Sequence, residues 1–143
     1  MAVNQISVFL ENRTGQLAEI TGLLAENEVN LRAISIAETA DYGVLRLIAD
    51  DSEKATNVLL SNGNIINMNP VTVVSVPDKP AGLSELLKLL SAGDVSIEYM
   101  YSLFTHQHDT AYMVFRVTDY DNFISLLKNH GLEPVSSAEL GLK

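Results

Sequence analysis

Residues 8–36, VFLENRTGQLAEITGLLAENEVNLRAISI, return in altered form as residues 74–102, VSVPDKPAGLSELLKLLSAGDVSIEYMYS. At this offset of 66 positions, Val8, Leu17, Glu19, Leu23, Leu24 and Val29 fall on Val74, Leu83, Glu85, Leu89, Leu90 and Val95. The order of features says more than the identities. Each stretch runs apolar strand, polar loop with small residues, leucines at helical spacing, polar break, second apolar strand. The 143-residue chain therefore reads as two copies of one supersecondary unit.

Working outward, Val3 to Leu10 alternates as a strand with Ile6, Val8 and Leu10 on one face. After a turn at residues 12–15, Leu17, Ile20, Leu23 and Leu24 mark a helix that ends near Asn27, a residue suited to the left-handed C-terminal position. A strand from Asn30 to Glu38, a connection at Asp41 to Gly43 and a strand from Val44 to Ala49 follow. Asp50, Asp51 or Ser52 can cap a second helix through Ala55, Val58 and Leu59 that stops at Gly63, before a closing strand at Ile65 to Met68. The second copy repeats the plan: strand Val71–Val76, turn Asp78–Gly82, helix Leu83–Ala92 ended by Gly93, and strands Val95–Phe104 and Ala111–Thr118. Asp119 or Asp121 then caps a helix with Phe123, Leu126 and Leu127, stopped at Gly131, and Glu133 to Ala138 forms the last strand.

This predicts an α+β fold: two ferredoxin-like βαββαβ domains, residues 1–70 and 71–143, each an antiparallel sheet with both helices on one face. The junction at Pro70 leaves almost no linker, so the two sheets are expected to lie edge to edge or share a strand, as a pseudodimer. Copies of about 70 residues are near the lower limit for an independent core, so a further association, a homodimer, is expected.

Residues 1–70 carry nine Asp or Glu against four Lys or Arg, and residues 71–143 nine against five, which together give the net charge of −9. Without a basic patch, nucleic acid and anionic membrane are poor partners. The absence of cysteine excludes disulfides, thiolate nucleophiles and Cys-based zinc sites. No basic leader or membrane-length apolar run is present, so the expected location is cytoplasmic. His106 and His108 have the spacing of a strand-borne metal pair but no third ligand beyond Asp109; a solvated hairpin is the better reading, and no metal or cofactor is expected. His130 precedes Gly131 and can meet the last helical carbonyls.

The strand-to-helix turns carry the chemistry. The first is Glu11, Asn12, Arg13, Thr14, Gly15, Gln16, Leu17; the second is Pro77, Asp78, Lys79, Pro80, Ala81, Gly82, Leu83. Unpaired N–H groups at a helix start favour a carboxylate, and small residues let a ligand approach the backbone. Asn12 and Asp78 can equally serve as simple turn or cap residues.

ENRTGQL followed by AENEVNL, and PDKPAGL followed by SAGDVSI, resemble the ligand loop and second-strand entry of ACT domains, the βαββαβ modules that sense amino acids in metabolic enzymes. The resemblance covers essentially the whole chain, and VPDKPAGL with VSIEYMY resembles in particular the stand-alone tandem ACT proteins that lack a catalytic domain. It implies that Asn12 matches the loop Asn, Gly15 the loop Gly and Asn30 the second-strand Asn; in ACT regulators the two Asn side chains hold the ligand's amino and carboxylate groups across an interface of two domains. At the corresponding places copy two has Asp78 and Ser96; Thr14 replaces a Pro, Ala81 a Gly, and Leu10 stands where some serine-sensing members carry a His.

A zwitterion needs acceptors for its ammonium and donors for its carboxylate. Asn12 and Asn30 offer acceptors, and the backbone of Gly15, Gln16 and Leu17 offers donors. Asp78 would pair with an ammonium more strongly than an Asn. Arg13 and Thr14 complete the first candidate loop; Lys79, Ala81, Gly82 and Leu83 complete the second. Ile34, with its neighbours Ala33 and Ser35, and Tyr99, Met100 and Tyr101 are pocket-wall candidates, with ordinary sheet packing as their alternative.

Two functions follow. The first is a regulatory sensor that binds a free amino acid between ACT domains and signals through assembly or partner affinity. The second is a non-catalytic subunit with a vestigial site that docks on a metabolic enzyme. An enzyme is not expected: an acylphosphatase-like site would rest on Arg13 alone, and no nucleophile–base pair is evident. RNA binding fails on acidity and on the missing aromatic strand signature.

Overall fold

The computed structural model describes residues 2–11, 13–38, 41–105 and 107–143. Its elements are β1 (Val3–Leu10), α1 (Gln16–Glu26), β2 (Leu31–Glu38), β3 (Gly43–Ala49), α2 (Ser52–Ser61), β4 (Ile66–Pro77), α3 (Gly82–Ala92), β5 (Ile97–Ser102), β6 (Thr110–Val117) and α4 (Tyr120–Asn129). The chain divides into two compact units, Asn4–Pro70 with Gly141–Lys143, and Val71–Leu140 with Met1–Val3.

In the first unit the strands run β2-β3-β1-β4, with β3 antiparallel to both β2 and β1. The alternation read from β1 turns Ile6, Val8 and Leu10 to one face, where they meet Ile20 and Leu24 of α1, Leu45 and Leu47 of β3, and Ala55 and Leu59 of α2. In the second unit the order is β4-β6-β5, with β6 antiparallel to both neighbours. Val74 and Val76 there pack with Leu86 and Leu90 of α3, Phe115 and Val117 of β6, and Phe123 and Leu127 of α4. Both units thus have helices on one face of an antiparallel sheet, the ferredoxin-like arrangement.

Helix starts follow local chemistry. Asp51 and Asp119 cap α2 and α4, their carboxylates accepting from the backbone N–H of Lys54 and Asn122 at 3.1 Å each. Helix ends show a correction. Asn27 is not left-handed (φ −99°); the next residue, Glu28, is (φ 56°), as is Asp94 in copy two (φ 61°). Asn27 instead donates from Nδ2 to the Leu23 carbonyl at 2.9 Å, so it stays within the helical turn. The left-handed residue then lets Val29 N–H reach back to Leu24 O at 2.9 Å, and Val95 N–H to Leu90 O at 2.9 Å, closing Schellman ends with an apolar contact across each.

The closing strand of copy one and the opening strand of copy two are a single 12-residue strand, β4, that passes through Pro70, the shared-strand alternative of the sequence reading. One strand expectation changes. The strand expected at Glu133–Ala138 does not form; Val135 N–H bonds to Val73 O at 2.8 Å, with no ladder around it among the described residues. Pro134 has no N–H to donate, which removes a rung from any ladder there. Among the described residues no helix is long and apolar enough to cross a membrane.

Candidate functional site

The loop between β1 and α1 encloses a cleft of about 480 Å³ in the first unit, lined by Leu10, Glu11, Arg13, Thr14, Gly15, Gln16 and Leu17 with Ile36, Glu38 and Gly43. Strand register explains the grouping. Leu10 pairs with Gly43 and Glu38 pairs with Gly43, so the ends of β1 and β2 and the start of β3 meet beside the loop. Gly15 enters α1 in the left-handed region (φ 89°), and the first backbone bond of the helix runs from Glu19 N–H to Gly15 O at 3.0 Å. Under that geometry the N–H groups of Gln16, Leu17 and Ala18 have no intrahelical acceptor and lend the loop a positive pole.

The charges around it are arranged. Arg13 forms a two-point pair with Glu19, at 3.0 and 2.9 Å, and lies 3.8 Å from Glu11. The Glu19 hydrogen bond and charge hold the Arg13 guanidinium above its ordinary pKa, and Arg13 in turn lowers the Glu19 carboxyl. With Arg13 engaged by Glu19 and Glu11, the exposed carboxylate of Glu38 is left as the cleft's negative pole.

Of the sequence candidates, Arg13, Thr14, Gly15, Gln16 and Leu17 come together here; Asn12 lies outside the described residues. Asn30 does not join them. It exchanges hydrogen bonds with Asp50 at the other end of the β2–β3 pair, N–H to Oδ1 at 3.0 Å and its carbonyl from Asp50 N–H at 2.9 Å. The eight residues of β2 separate it from the loop end by about 26 Å. Ile34 packs against the first unit's core. Glu11 belongs to the turn read from sequence, whereas Ile36, Glu38 and Gly43 were not singled out; the alternation of Ile34 and Ile36 along one strand face is a signal for Ile36, but Glu38 and Gly43 depend on register.

In copy two, Ala81 takes the left-handed entry (φ 73°) that Gly15 takes in copy one. Asp78 is exposed with its backbone N–H bonded to Asp109 O at 2.8 Å, Lys79 N–H bonds Pro77 O at 3.0 Å, and Leu83 packs on the second core. A Cβ on Gly82 would sit far inside contact distance of the Pro77 carbonyl oxygen, so this turn closes on its own backbone. Ser96 is exposed, its carbonyl accepting from Thr118 N–H at 3.1 Å. Met100 faces the core, while Tyr99 and Tyr101 stack on each other at 6.4 Å on the opposite strand face, consistent with packing rather than a cleft wall. A more apolar cleft of about 490 Å³ lies between β4, α3 and the end of α4, with Gly82 in its lining and Glu85 and His130 as the ionisable residues among the described ones that line it. His130 Nδ1 meets Leu126 O at 3.0 Å, the helix-end role read from sequence. His108 lies 3.1 Å from Asp109 on the surface, and His106 is outside the described residues.

A family model for the ACT domain pair matches residues 1–141. The chain belongs to the ACT domain pair family. Among solved structures, this ACT pair is similar to protein BT0572 from Bacteroides thetaiotaomicron, with 39% identity over 99% of this chain and 96% of that one and a TM-score of 0.88. It shares its fold with the regulatory subunit of aspartate kinase from Thermus thermophilus in ligand-free form, at 13% identity over 88% and 90% of the two chains and a TM-score of 0.63. The corresponding subunit from Thermus flavus matches with 14% identity over the same shares and a TM-score of 0.58. No curated protein matches.

Proposed function

We propose that this ACT domain pair is a non-catalytic regulator that takes a free amino acid at the β1–α1 loop of its first unit. The observation that carries the reading is the pairing of poles in one cleft. Helix-start N–H groups without an intrahelical acceptor suit a carboxylate, the Glu38 carboxylate suits an ammonium, and about 480 Å³ is room for a small ligand. In this reading Asn12 contributes to the loop as the family resemblance implies. Asn30, too far from its own loop, acts on a ligand held by another chain, so the regulator works as a homodimer. The Thermus subunits, named as regulatory parts of an aspartate kinase, support control of an enzyme as the output.

Copy two is the unequal partner. Its candidate residues Asp78, Lys79, Ala81, Gly82, Leu83 and Ser96 surround a turn that closes on Pro77, which favours a vestigial or docking role for that copy. Calorimetry and thermal shift with the common amino acids test the proposal. The expected result is binding by a narrow subset with a matching rise in Tm. Silence from every amino acid at about 5 mM, where even a millimolar Kd would register, refutes it. A stable enzyme partner captured without any amino-acid dependence would instead support the docking role.

A further inference from the structure

We infer that Gly43, through the side chain it lacks, sets the ligand class of the first unit's cleft as an amino acid with an aliphatic side chain, seated over Gly43 between Leu10 and Ile36; this rests on the reading of the cleft as an amino-acid site. Gly43 pairs with Leu10 on one side and with Glu38 on the other, so the three stand in one row across β1, β3 and β2, and all three line the cleft. A Cβ built on Gly43 would lie 3.6 Å from both Cβ and Cδ1 of Leu10, which puts it on the sheet face that carries the Leu10 side chain. Those are ordinary contacts, and Gly43 is not among the glycines with positive φ. Neither backbone conformation nor crowding demands glycine here, although glycine weakens a strand. What the missing side chain leaves is room on the cleft floor between Leu10 and Glu38.

The surroundings of that room are apolar. In the next row Val8, Leu45 and Ile36 are strand partners on the same face; Val8 and Leu45 are fully buried in the core, whereas Ile36 is 49% exposed and lines the cleft. The core's apolar face thus runs out into the cleft uncovered, and an aliphatic side chain laid against Ile36 and Leu10 would take that surface out of water. A polar side chain in the same place would lose hydration with no gain of this kind. At the far end of the Gly43 row the exposed Glu38 remains for the ammonium. Copy two fills the equivalent place. Ala111 pairs with Val76 as Gly43 does with Leu10, and it packs against the second core, while Ser102 stands where Ile36 does. The aliphatic seat therefore belongs to one site per chain.

The test is calorimetry on the full chain with the common amino acids, including the shape-matched pairs valine against threonine and leucine against asparagine, repeated on Gly43→Val. At least one aliphatic member is expected to bind about tenfold or more tightly than its polar match. Gly43→Val, folded by circular dichroism, is expected to weaken that ligand about tenfold or more, because its side chain occupies the seat. Equal binding within both pairs, or tightest binding by a polar or charged amino acid, overturns the inference but leaves the amino-acid reading standing. Undiminished binding by Gly43→Val overturns it as well. Binding of no amino acid at all overturns the reading and the inference together. Should Gly43→Val fail to fold, Gly43→Ala takes its place, since its methyl meets only ordinary contacts; it is expected to weaken the aliphatic ligand severalfold, and unchanged affinity overturns the inference.

Discussion

Replacing Gly82 with alanine should destabilise the protein, although alanine is the better helix former. Gly82 opens α3, and the added Cβ would fall 3.1 Å from the Pro77 carbonyl carbon and closer still to its oxygen. That oxygen is not free to retreat: it accepts from Lys79 N–H at 3.0 Å, and Pro77 pairs with Thr110 at the end of β4. Forcing such an overlap costs about 1–3 kcal/mol, against a gain of at most about 1 kcal/mol from helix propensity at a first-turn position. A net loss of about 1–2 kcal/mol is expected, read as a lower urea midpoint at unchanged slope. Gly22→Ala is the control, because it lies inside α1 with nothing within 4 Å of its Cβ. It should raise stability by about 0.5–1 kcal/mol. A midpoint for Gly82→Ala at or above the wild type, in line with Gly22→Ala, would refute the close approach and with it the claim that copy two cannot carry a side chain at this place.

Removing either cap, by Asp51→Ala or Asp119→Ala, should cost about 1 kcal/mol, because each carboxylate satisfies one orphan N–H; the double variant should lose the sum in urea unfolding. For the Arg13–Glu19 pair, the hydrogen bond and charge from Arg13 hold the Glu19 carboxyl below its ordinary value of 4.5. The folded state therefore favours the ionised form, and the contribution is present above that value and lost as pH falls through the lowered one. Since both groups are exposed, Glu19→Gln should have a small effect near neutral pH, weaker in added salt and absent in acid. A difference between variant and wild type that grows on acidification would contradict this sign.

Much of the fold was legible because its signals are local. Ile6, Val8 and Leu10 alternate, Leu17, Ile20 and Leu24 recur at helical spacing, and Asp51 and Asp119 stand where caps belong, so element type and order could be read residue by residue. The misses occurred where a local preference met a longer-range demand. Asn27 suited the left-handed position, but closing the helix end with Val29 on Leu24 put Glu28 there instead. The run around Glu133–Ala138 had strand composition, but Pro134 and a single bond from Val135 do not make a ladder. Among site candidates, the contiguous loop Arg13–Leu17 was readable, and Asn30 was correctly placed at the entry to β2 yet lies at the far end of its own sheet.

From sequence alone came the duplication, the βαββαβ plan and the unlike loops of the two copies, because hydrophobic period, turn residues and caps are properties of short segments. Tertiary structure alone decided that Ile36, Glu38 and Gly43 complete the cleft, since strand register brings together residues far apart in the chain. It also decided that Gln16 is buried with an unpaired oxygen while Gly82 is closed over by Pro77. Burial and close approach are properties of the packed chain, which is why Gln16 and Gly82, two ordinary helix-start residues in the sequence, become the point at which the two copies differ most.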